Sequence, residues 1–247
     1  MNSLLPVIEG VIARRLLLNF RVRPDLLAPL LPAPFRPKLI RSWALAGLCL
    51  IRLEDVRPKA LPALLGLASE NVAHRIAVEW DEEDGTREGV FILRRDTNSR
   101  LNKLLGGRVF PGVQQLARFD TWESGRRLKI DITEAHGQRL VRVAARTGEP
   151  WPTGSVFASL ADASEFFQRG SCGWSPDEQG GCEGMEIHIA DWRAEPLFVE
   201  RVESSFFDDR SRFPAGSIEF DCALLMRGIK HEWRSLPPLA TTRKEAA

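Results

Sequence analysis

The chain has 247 residues, 44% of them hydrophobic and 27% charged, with 34 basic against 33 acidic side chains. That balance argues against nucleic acid as the main partner, because phosphate binding needs a clear excess of Lys and Arg on one face. No run approaches the ~18 uncharged apolar residues of a spanning helix. The N-terminus lacks the basic flank of a secretory leader, and Cys49, Cys172, Cys182 and Cys222 fit no common zinc spacing. These features imply no membrane partner, no metal and no other cofactor, and the default compartment is a reducing cytoplasm.

Taken in chain order, residues 16–22 alternate on one parity. Leu16, Leu18, Phe20 and Val22 face one way and Asn19 and Arg21 the other, which describes a strand with one buried face. Pro24 opens a short helix over 25–31 that Pro32 stops. The run 43–51 is apolar on both faces, as in a central strand. Alternation returns over 71–80, with Val72, His74, Ile76, Val78 and Trp80 on one side and Arg75 and Glu79 on the other. The acidic turn ending in Asp84-Gly85 signals a hairpin into a strand over 89–93.

A helix over 97–105 follows, with Asp96 or Thr97 as its cap and Gly106-Gly107 as its end. Strands are expected over 109–119, 126–133 and 139–145, a helix over 161–169 with Phe166 and Phe167 inward, and a Gly-rich loop over 171–184. Strands resume over 185–189, 197–203 and 218–226. No internal repeat or linker divides the chain. Many strands with only short helices imply one domain over 1–235, mainly β in the α+β sense, with a nearly closed antiparallel sheet and a disordered tail over 236–247.

No nucleophile elbow, phosphate-binding loop, dinucleotide fingerprint or paired-histidine zinc motif occurs. Tyrosine is absent, so no phenol is available for acid, base or nucleophilic work. Parity places His74 on the apolar side of its strand, where an imidazole is most simply a hydrogen-bonded core residue. Were that side hollow, the ring would enter the space, and Glu70, on the same parity, would sit at its mouth as a general base poised by burial.

Three stretches together carry a resemblance. They are Arg94-Arg-Asp-Thr-Asn-Ser-Arg100 with Gly107-Arg-Val-Phe-Pro-Gly112, then Ala163-Ser-Glu-Phe-Phe-Gln-Arg-Gly-Ser171 with Gly173-Trp-Ser-Pro176, and Val202-Glu-Ser-Ser-Phe-Phe207 with Ala223-Leu-Leu-Met226. In their order and spacing the sequence resembles the domain-of-unknown-function family 2071, related to the acetoacetate decarboxylase fold. The resemblance implies a cone-like antiparallel β barrel with short peripheral helices and an internal pocket. In acetoacetate decarboxylase a barrel lysine forms a Schiff base with the substrate, helped by a second lysine. Here Gln114 and Gln115 fall about where that pair would be, and an amide cannot form an imine. Glu70 resembles the family's pocket glutamate, and Arg14 or Arg15 lies near its substrate-carboxylate arginine.

Three readings follow. The preferred one is a pocket for an unidentified small molecule, a carbonyl or carboxylate compound, lined by Glu70, His74, Gln114 and Gln115, with Arg14 or Arg15 countering an anionic group. It allows an enzyme that works without a Schiff base. The second is a lyase using Lys103. On a helix whose buried stripe is Leu101, Leu104 and Leu105, that lysine points roughly 160° away from the stripe and is expected to be solvated. The third is a packed barrel that serves as an interaction scaffold or homo-oligomer, with the Gly-rich loop and Phe206-Phe207 as the contact surface.

Overall fold

The structure is a computed structural model that describes residues 6–105, 112–177, 181–237 and 239. Thirteen strands are present among them: β1 (Ile8–Val22), β2 (Arg36–Pro37), β3 (Leu39–Ile40), β4 (Trp43–Pro58), β5 (Leu67–Glu82), β6 (Gly85–Thr97), β7 (Gln114–Ser124), β8 (Arg127–Glu134), β9 (Arg139–Thr147), β10 (Cys172–Pro176), β11 (Cys182–His188), β12 (Glu195–Ser204) and β13 (Ile218–Ser235). Three short helices accompany them, α1 (Pro24–Leu27), α2 (Arg100–Leu105) and α3 (Leu160–Arg169). The protein is mainly β, as the periodicity implies.

All the strands join one sheet, and its pairings close on themselves in two ways. The long strands β13, β1, β4, β5 and β6 form a shared wall. From β6 one circuit returns to β13 through β10 and β11, and the other through β7, β8, β9 and β12. Pairing is antiparallel except at two joins, β6 with β10 and β6 with β7, each only three residue pairs long. Those parallel joins depart from the wholly antiparallel sheet that the sequence implies. They arise because β6 branches, spending the two halves of one edge on different partners.

Both faces of the wall are buried, and this determines where a site can form. Even-numbered side chains such as Leu16, Leu18, Leu48, Val72 and Ile76 enter the largest apolar cluster. Odd-numbered ones such as Leu17, Leu45, Cys49 and Ala77 pack under α3 through Phe166 and Phe167. The expectation of one buried face on β1 and β5 is therefore corrected: Asn19 is 1% exposed and Arg75 5%. A helix far away in sequence covers the face that local alternation leaves to solvent.

Two further expectations change. The stretch read as a Gly-rich loop is mostly the β10–β11 hairpin. Its Gly184 lies under the Trp174 ring, where an added Cβ would stand 2.7 Å from the indole, so the glycine marks close packing rather than a loop. The helix expected from Thr97 begins at Arg100, because β6 runs on to Thr97 and the Ser99 hydroxyl accepts from the Asn102 N–H at 3.2 Å in the capping role. By contrast α3 begins as expected, with the Ser159 hydroxyl accepting from the Asp162 N–H at 3.1 Å. The Gly106-Gly107 helix end, the first part of the strand expected over 109–119 and most of the 236–247 tail lie outside the described residues. Of that tail, Leu236 donates its N–H to the Gly184 carbonyl and Leu239 bridges Cys182.

Candidate functional site

The circuit closed by β10 and β11 holds a cavity of about 150 Å³ on the odd face of the wall. Leu17, Ile51, Val90, Ile92, Phe167 and Met185 give it apolar sides, and Arg15, Asn71, Arg75, Arg95, Asn102 and Gln114 give it polar ones, together with Asp96, which Arg94 holds at 2.8 Å. Period two explains most of this set: Arg15 and Leu17 on β1, Cys49, Ile51 and Leu53 on β4, Asn71, Ala73 and Arg75 on β5. On β6 alternation alone would turn Arg95 and Ile92 to opposite faces. The ladder with β5 slips between His74 and Arg75, whose partners are Arg94 and Ile92. That bulge spends one extra residue, Leu93, and aims both Ile92 and Arg95 into the cavity.

Three guanidinium groups thus reach one small, largely apolar space, and among the described residues none of the three has a carboxylate partner. Arg75 donates from Nη2 to Asn19 Oδ1 at 2.6 Å and lies 4.8 Å from the Phe167 ring centre, while its Nε is buried without a partner. Asn19 is held in turn by donating to the Leu17 and Cys222 carbonyls. Between Asn19 and Arg75 in the ladder stands Gly47, where a Cβ would come within 2.1 Å of the Leu18 carbonyl oxygen. Arg95 donates from Nε to Ser175 Oγ at 3.0 Å, and Arg15 from Nε to Cys49 Sγ at 3.4 Å, with Arg15 Nη1 buried and unpartnered.

Burial brings both Arg75 and Arg95 down to about 10, with the Cys49 sulfur pulling each back up. Both remain cationic at neutral pH. Burying unpaired charge is costly unless something compensates it, so this wall is preorganised for an anion. Guanidinium suits that task through its planar fork, which matches a carboxylate bidentately.

Of the residues singled out from sequence, Arg15 and Gln114 line the cavity and Arg14, Glu70, His74 and Gln115 do not. Gln114 starts β7 beside Arg95 in the parallel join, and Gln115, one parity over, is exposed. Arg14 and Glu70 meet on the even face, with Nη2 to Oε2 at 2.7 Å, and Arg14 also pairs with Glu123, which Arg227 holds at 2.8 Å. Desolvation raises the Glu70 carboxyl above its ordinary value against the opposing pull of Arg14. The cation expected to counter a ligand is there engaged within the protein.

His74 is fully buried beside Phe206 and Phe207, with ring centres 5.6 and 6.0 Å away, and neither ring nitrogen has a partner. Burial, and then Arg94, lower it to about 3. Phe207 is buried and Phe206 half-buried in this core, so the pair is no contact surface. Lys103 is exposed on α2 and outside the cavity, and no lysine lines the cavity among the described residues. The sequence reading missed Arg75 and Arg95. The available signal was apolar residues on both parities of β1 and β4, which implies that charged side chains in the middle of that wall can be buried on either face.

Residues 12–216 match the model of DUF2071, an uncharacterized conserved protein family. No curated protein matches the chain. Among solved structures, an acetoacetate decarboxylase from Legionella pneumophila superposes with a TM-score of 0.61 at 13% identity, over 98% of this chain and 90% of that one. An acetoacetate decarboxylase-like enzyme from Sphingomonas wittichii RW1 gives 0.61 at 13%, over 98% and 94%. The enduracididine biosynthesis enzyme MppR, complexed with pyruvate, gives 0.60 at 10%, over 97% and 91%. At such identities the likeness is one of fold. Among the described residues no helix is long and apolar enough to cross a membrane.

Proposed function

The chain belongs to the DUF2071 family, and from that premise we propose that it binds a small organic carboxylate in the arginine-lined cavity. One observation carries this reading: Arg15, Arg75 and Arg95 converge on one largely apolar cavity whose lining carboxylate, Asp96, is taken up by Arg94 rather than by any of the three. A volume of about 150 Å³ limits the occupant to a handful of heavy atoms. The carboxylate would dock on the guanidinium forks, its apolar remainder against Leu17, Ile92 and Phe167, while Gln114, Asn71 and Asn102 offer amides to a carbonyl or hydroxyl. The neighbour solved with pyruvate, a small oxo acid, supports the size and class.

Any transformation would run without an imine. Guanidinium groups at about 10 stay protonated and do not condense with ketones. What they supply is electrostatic stabilisation of negative charge in a largely apolar space. Thermal unfolding with pyruvate, set against pyruvamide of nearly equal size, tests the charge requirement. At a hundredfold excess over Kd the acid would stabilise the fold by about 2.7 kcal/mol and the amide far less. Equal stabilisation by both would reject the reading.

A further inference from the structure

Arg15, Arg75 and Arg95 surround a fourth group that anion binding does not require, the free thiol of Cys49. It lines the cavity, and its sulfur accepts the Arg15 Nε–H at 3.4 Å. The other three cysteines lie outside the cavity lining. Cys172 is pushed up to about 11 by burial and Glu186, and Cys222 is raised further by burial and Asp221. Arg75, 5% exposed with an unpartnered Nε, independently marks the same space as built for a ligand. A carboxylate gripped by the guanidinium groups would place its neighbouring carbon against the sulfur, and such positioning replaces a bimolecular encounter with an intramolecular one.

We propose that Cys49 is the nucleophile of this cavity, adding to the electrophilic carbon next to the carboxylate of a small oxo acid. This rests on the carboxylate reading above and deepens it. In the addition the S–C bond forms, the carbonyl π bond breaks, and the thiol proton goes to the former carbonyl oxygen. The product is a thiohemiacetal, and reversal restores both partners without an oxidant or reductant. It places a reversible covalent site in a cavity that no lysine lines among the described residues.

Iodoacetate tests the geometry because it is itself a small carboxylate with an electrophilic carbon in the neighbouring position; attack forms the S–C bond, expels iodide and releases the thiol proton to buffer. The folded protein is treated with iodoacetate or with uncharged iodoacetamide, and labelling of each cysteine is timed by peptide mass spectrometry. Cys49 is expected to react at least tenfold faster with iodoacetate, reversing the order in the urea-unfolded chain. Pyruvate should slow that labelling, and Arg95→Gln should abolish the preference while the fold, checked by circular dichroism, persists. Should Arg95→Gln fail to fold, pyruvate protection of the native chain decides alone. If pyruvate binds by calorimetry but Cys49 stays unlabelled, or labels no faster with the acid than the amide, the nucleophile inference fails and the carboxylate reading stands. Absence of any carboxylate binding overturns both.

Discussion

Arg14 and Arg15 are neighbours in sequence, and one peptide step sends them to opposite faces of the same wall. On the even face Arg14 meets Glu70 and Glu123, and Arg227 and Arg52 complete a network of three cations and two anions. On the odd face Arg15, Arg75 and Arg95 donate to a thiol, an amide and a hydroxyl, and the carboxylate in the same lining, Asp96, is engaged by Arg94. Each face has a nearly fully buried arginine, Arg14 on one and Arg75 on the other, and pairing distinguishes the two. A satisfied charge network holds a structure together, whereas convergent unpaired charge leaves free energy to be recovered by a ligand.

That contrast is sharpest in mutants. Arg14→Ala removes the buried cation shared by Glu70 and Glu123, and urea unfolding should show a loss of about 3 kcal/mol. The matching change on the other face, Arg75→Met, removes an unpaired buried cation while keeping an unbranched apolar stem. Stability should hold within about 1 kcal/mol or rise, while pyruvate affinity falls at least tenfold. Comparable destabilisation by the two variants would erase the distinction between the faces.

A pH-dependent effect, small near neutral pH, separates the even-face core from both charge clusters. His74 is held near 3 by burial, against an ordinary value of 6.5. The unfolded chain therefore takes up a proton from pH 6.5 downward and the folded one does not. The His74 contribution is complete above pH 6.5 and is lost as pH falls toward 3, at about 1.4 kcal/mol per pH unit. His231, lowered to about 4 by burial, adds to the same slope. Chemical denaturation at a series of pH values should show a shallower decline in His74→Phe, by about one proton. An unchanged slope would mean that the imidazole protonates in place.

Much of this architecture is legible in the sequence, for identifiable reasons. Alternation in β1 and β5 gives the even-face core directly, because Leu16, Leu18, Val72 and Ile76 obey a period set by the pleat. The Asp84-Gly85 step gives the β5–β6 hairpin, and Ser159 before an amphipathic run gives α3. The cavity is harder to see, because its determinants are nonlocal. Arg75 looks solvated until α3, nearly a hundred residues later, lays Phe167 over it. Arg95 needs the bulge at Leu93, which no local turn residue announces. Gln114 enters the cavity through a parallel join, and Gln115 is turned outward by the same parity. Pairing of Arg14 with Glu70 depends on Arg52 standing between them in the ladder, a register that single-strand reading does not supply.

The central claim is that the odd-face arginines hold a small carboxylate. Isothermal titration of pyruvate into the native chain and into an Arg75→Met, Arg95→Met double variant addresses it most directly. A saturable one-to-one isotherm that weakens with added salt and vanishes in the folded double variant is the expected result. Undiminished binding by the double variant, or no heat from the native chain with pyruvate and other carboxylates of similar size, would contradict it.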